Sequence, residues 1–144
     1  MTILKSVRSD VWYKQKHNQP LDLTTTMEGT GAATAVLLKN RIIVTLAAAE
    51  VNKYVNISTP LGFRVVKAYS VHTNATAATW QLVNTGDAIC VAVVMAAVDK
   101  DIDNMIDIDD DYSTFVRGDD DLRIEITTGA ATCIIVIDIL PTVA

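Results

Sequence analysis

The sequence predicts an all-β protein: an antiparallel β-sandwich or jelly-roll-like body over residues 27–144, preceded by an extended N-terminal arm over residues 1–26. Three observations carry this. Val (17), Ile (14) and Thr (17) make up one third of the 144 residues, and branching at Cβ suits a pleated sheet better than a helix. Only Glu28, Glu50 and Glu125 are glutamates against 14 aspartates, an acidic choice that favours turns over helix interiors. Short apolar runs recur at roughly 8–12-residue intervals with no βαβ alternation, the spacing of a sandwich or small barrel.

Taken in order, residues 1–26 stand apart. Lys5, Arg8, Lys14 and Lys16 against Asp10 and Asp22 give +2, while the rest of the chain carries −7. Trp12 and Tyr13 lie within this basic stretch, Pro20 interrupts it, and no helical or alternating period covers it. Ala35–Leu38 and Ile42–Thr45 then flank the polar turn Lys39-Asn40-Arg41, and Thr45 is placed to cap one helical turn through Ala47–Glu50. Val51–Ser58 alternates. Pro60-Leu61-Gly62 turns the chain into Phe63–His72, where the apolar positions change phase and predict a β-bulge near Val65-Val66.

Thr79–Asn84 puts Trp80 and Leu82 on one face, and Thr85-Gly86-Asp87 is a turn. Ala88–Val98 is an uninterrupted apolar run of 11 residues that fits a buried strand or a short buried helix. Tyr112–Val116 is a short strand. Leu122–Thr127 alternates strictly, Cys133–Leu140 is an apolar run, and Thr128-Gly129 between them predicts a hairpin. Thr30-Gly31-Ala32-Ala33-Thr34 echoes Thr128-Gly129-Ala130-Ala131-Thr132, as repeated turn-into-strand chemistry.

Composition bounds the function. A net charge of −5 and a pI near 4.8 disfavour nucleic-acid binding by the whole surface. A membrane helix needs about 20 apolar residues, so no span is expected. Met1–Ser6 has no apolar core of signal-peptide length, so no secretory leader is expected. Cys90 and Cys133 sit in apolar runs and read as buried thiols rather than a disulfide. A mean hydropathy of +0.28 points to apolar surface covered by another chain.

His17 and His72 are the two histidines, and neither stands in a metalloprotease, nucleophile-elbow or phosphate-loop pattern. The expectation is no enzymatic activity and no resident cofactor. Asp99, Asp101, Asp103, Asp107 and Asp110 fall at positions 1, 3, 5, 9 and 12 of a twelve-residue loop, the alternate oxygen spacing that Ca²⁺ requires. Asn104 replaces the turn glycine, Asp110 replaces the long bidentate Glu, and no flanking helices are evident. The competing expectation is a solvated acidic loop with Ile102, Ile106 and Ile108 tucked into the body. Arg117-Gly118-Asp119 matches the integrin tripeptide but reads as an exposed turn. Trp80 reads as core, with a sugar platform as its alternative. Lys5, Arg8, Trp12, Tyr13, Lys14 and Lys16 form the candidate docking set, aromatics flanked by cations.

The chain resembles the small cement (decoration) and minor head proteins of tailed bacteriophages. The resemblance is carried by the basic N-terminal arm, Glu50-Val51, Ile57-Ser58-Thr59-Pro60-Leu61-Gly62-Phe63-Arg64-Val65, Thr79–Ile89 and Asp121–Thr127. It implies a β-sandwich or jelly roll, commonly a homotrimer, on the outer capsid surface where major capsid proteins meet. It implies the major capsid protein and other copies of the chain as partners, synthesis in the host cytoplasm, and neither catalysis nor cofactor. Two other functions fit the residues: a calcium-dependent β-sandwich binding module, with sugars as one candidate ligand, and a tail or head-completion component of the virion.

Overall fold

The computed structural model describes residues 19–142. Thirteen strands form two antiparallel sheets that pack face to face as a β-sandwich, and no helix forms among the described residues. The strands are β1 (Leu21–Leu23), β2 (Thr25–Met27), β3 (Ala32–Leu38), β4 (Arg41–Ala49), β5 (Lys53–Ile57), β6 (Phe63–His72) and β7 (Ala78–Asn84). They continue with β8 (Asp87–Ala88), β9 (Val93–Met95), β10 (Ile102–Asn104), β11 (Thr114–Phe115), β12 (Leu122–Thr128) and β13 (Ala131–Pro141). The first sheet runs β1-β3-β4-β13-β6-β10, with β11 also on β6. The second runs β2-β5-β12-β7-β8, with β9 also on β7. One edge of each sheet is therefore built from two short strands in tandem.

Period-2 alternation sets the core. Leu37, Leu46, Val55, Ile57, Leu82, Ile124, Ile126 and Ile135 point between the sheets. Trp80 is wholly buried among them, so it is a core residue and unavailable as a sugar platform. Phe63 and Phe115 stack with ring centroids 4.7 Å apart, which fixes β11 to the end of β6. Asn84, at the end of β7, donates from Nδ2 to the Tyr112 and Thr114 carbonyls at 3.0 and 3.1 Å. That amide ties the second sheet to the tandem edge of the first.

The expected bulge is present. Asp138 opposes Lys67 and Ile139 opposes Val65, leaving Val66 as the extra residue. The inward set changes there from Phe63 and Val65 to Ala68, Ser70 and His72.

Four expectations are corrected. The helical turn at Ala47–Glu50 is absent: β4 continues to Ala49 through a bulge. Ala48 has φ 49° and donates its N–H to Thr132 Oγ1 at 2.9 Å, so a threonine takes the place of a ladder partner. The turn at Thr128-Gly129 does not make a hairpin, because β12 lies in the second sheet and β13 in the first. Ala88–Val98 is neither a long strand nor a helix; it holds the end of β8 and the three-residue β9. The last part of the expected arm belongs to the body, since β1 pairs with β3, β2 pairs with β5, and Leu21 and Leu23 are in the core. The Thr-Gly echo is structural: Gly31 and Gly129 both have positive φ and lead into strands, β3 and β13.

Candidate interaction surface

The six candidate arm residues, Lys5, Arg8, Trp12, Tyr13, Lys14 and Lys16, lie outside the described residues. The chain enters the body at β1, on the edge of the first sheet opposite β10.

The five aspartates of the loop are strung out rather than gathered. Asp101 accepts the Ile102 N–H on Oδ1 at 3.2 Å, and its carbonyl accepts the His72 N–H at 2.9 Å. Asp103 lies on β10 opposite Ser70 of β6. Asp107 has φ 55°, and Asp110 pairs with Arg64 at 3.4 Å. Among the described residues no three His, Cys, Asp or Glu side chains come together as a metal-binding group.

Asp103 is nonetheless unusual. Its Oδ2 is buried without a hydrogen-bond partner. Burial pushes its carboxyl above the ordinary value, the nearby Asp101 charge raises it further, and His72 pulls it part of the way back. The folded state therefore holds this proton more tightly than the unfolded chain does. Stability from Asp103 is full below the unfolded value and is lost as pH rises through the folded one. Asp103→Asn is accordingly expected to raise Tm at pH 7. The gain should shrink to nothing as pH falls below about 3.9, the ordinary Asp value; melts across that pH range check it.

Ser70 and His72 are fully buried beside it on β6. Ser70 Oγ and both His72 ring nitrogens have no hydrogen-bond partner. Ser, His and Asp thus come close together here but do not form the hydrogen-bonded relay that nucleophilic catalysis uses. Cys90 and Cys133 are free, buried thiols; burial pushes Cys133 up to about 12 and also raises Cys90. Arg117-Gly118-Asp119 occupies an exposed turn in which Gly118 has φ 86° and the Val116 N–H is held by Asp120 Oδ2 at 2.8 Å.

The surface that sequence reasoning missed runs along the β9–β10 edge. Val91, Val94, Val98, Ile102 and Ile106 are 47% to 68% exposed. They lie on one excursion whose ends are tied by the Val91 N–H to the Ile106 carbonyl at 3.3 Å. Ile102 and Ile106 were expected in the body; Met105 is buried instead and Ile108 packs partly against the core. The inward positions of this stretch go to Val93, Met95 and Met105, which leaves the intervening aliphatics outside. A run that is apolar throughout gives no periodic signal of which half is left over.

Apolar side chains also stand on the outer face of the first sheet, half-buried or, at Val136, buried. Val36, Ile43, Val136 and Tyr69 stand in one register row across β3, β4, β13 and β6. Val71 precedes Ile102 in the neighbouring row. An antiparallel sheet facing water ordinarily alternates apolar-in with polar-out; β13 carries Ile or Val on both faces. Comparison with protein-family models, with curated proteins and with solved structures finds no match.

Proposed function

We propose that this chain is a non-catalytic structural protein of a tailed-phage virion, a cement subunit. It binds the outer capsid surface and holds neighbouring major capsid proteins together. The aliphatic side chains left exposed along the β9–β10 edge are the observation that carries the reading: apolar surface gathered at one edge marks an interaction site. The apolar outer face of the first sheet supports it. So do the segments that carry the family resemblance, since Phe63–Val65, Thr79–Asn84 and Leu122–Thr127 lie on strands of the sandwich. In this reading the sandwich is a rigid block and the basic, aromatic arm is its tether. Many copies on one lattice add up through avidity, so modest single contacts stabilise the shell.

The test is co-sedimentation with purified capsids of the phage that encodes the chain. The full chain is expected to pellet with capsids. Removal of residues 1–18 is expected to lower occupancy at least tenfold while the far-UV circular dichroism of the body stays the same. Equal occupancy with and without the arm sinks the tether.

A further inference from the structure

The aliphatic strip sits in an acidic frame. Seven aspartates between Asp99 and Asp111 face one lysine, Lys100, a net of −6 over thirteen residues. Arg64 reaches one of them, Asp110. A second acidic surface of the same kind would be repelled, and a purely apolar partner would leave the carboxylates uncompensated. The fitting ligand has an apolar centre and a cationic rim. Residues 1–18 of this chain have that composition: Val11-Trp12-Tyr13 lies between Arg8 and the pair Lys14 and Lys16, and the segment carries +3 from four cations and Asp10.

The topology indicates whose arm it is. The arm leads into β1, and the strip lies by β10, five strand spacings or about 24 Å away across the first sheet. From Leu21 back to Lys16 the chain reaches at most about 17 Å, short of that separation, so the segment meets the strip of a neighbour placed edge to edge. Donor and acceptor on opposite edges make a head-to-tail contact, the kind that closes rings.

We propose that the Arg8–Lys16 segment of one copy seats on the Val91–Ile106 strip of the next, so that copies link head to tail through exchanged arms. This rests on the reading of the chain as a subunit that joins neighbours. It adds a reason for the arm's effect on capsids, since losing the arm also dissolves the oligomer and its avidity.

The experiment uses full-length chains and no capsid. Sedimentation equilibrium of the native chain at micromolar concentration should give two or more times 15.6 kDa. An arm variant (Lys14→Glu, Lys16→Glu) and a strip variant (Ile102→Asp, Ile106→Asp) should each self-associate at least tenfold more weakly, with unchanged far-UV circular dichroism. Mixed together, the two variants hold one intact arm and one intact strip, and they should form a one-to-one heterodimer. A monomeric native chain, as an arm seated on its own body would give, overturns the proposal. So does a strip variant that keeps the native mass, or a mixture that stays monomeric. Heterodimers without capsid binding would leave this inference standing and remove the cement reading. Arm-dependent capsid binding by a monomer would do the reverse.

Discussion

Trp80→Ala is expected to destabilise the fold by about 3–5 kcal/mol, the range for emptying a fully enclosed aromatic site. At this chain length that lowers Tm by roughly 10–15 °C, taking about 3 °C per kcal/mol. Trp80 is the largest wholly buried side chain in the sandwich, paired in register with Ile126 on one side and Val93 on the other. Removing the indole leaves a void between two sheets whose backbone ladders hold their spacing, so the walls relax little. Its Nε1–H is buried without a partner, an unmet donor that costs about 1–3 kcal/mol. Trp80→Phe removes that donor along with part of the volume, so its loss is expected to stay below about 1.5 kcal/mol. Urea unfolding of the two variants checks this: the midpoints should separate widely, and the slopes should match. Equal losses in Ala and Phe would mean that packing volume at this site is not what the core depends on.

Gly129→Val is expected to cost a further several kcal/mol by a different route. Gly129 has φ 63°, and a Cβ there would run into the Ala77 carbonyl, a backbone atom that has no rotamer to move into. A β-branched residue in the left-handed region costs about 1–3 kcal/mol by itself. Displacing packed backbone adds about 1–3 kcal/mol more. Gly118 provides the control: it has φ 86° but open space where a Cβ would stand. Gly118→Ala is therefore expected to lose only the conformational part, about 1–2 kcal/mol. A Gly129→Val loss no larger than that of Gly118→Ala would show that the approach to Ala77 is slack.

The difference between these two glycines also shows what a linear sequence carries. Strand identity was legible wherever one face is buried: Leu122–Thr127 alternates and folds as β12. The Val66 bulge was legible because it shifts the apolar phase within a strand whose two halves both point inward. Thr128-Gly129 was legible as a reversal but not as a change of sheet. A positive-φ glycine encodes the local bend, and which sheet receives β13 is decided by partners more than 50 residues upstream, β4 and β6. In the candidate surface the charge of residues 99–111 was plain. The exposure of Ile102 and Ile106 was not, because isoleucine in a β-rich chain is placed inward by default, whereas the register of β10 turns Asp103 toward Ser70 and Ile102 outward.

The position of β13 has a consequence for synthesis. This strand lies at the centre of the first sheet, between β4 and β6, yet it is the last strand in the described chain. While a ribosome is still adding residues 131–141, β4 and β6 have no neighbour on the sides they will share, and each offers a row of open peptide groups to other nascent chains. Such late, distant closure makes for slow maturation. Translation rate and chaperone supply should govern the yield of usable protein more strongly than its final stability does.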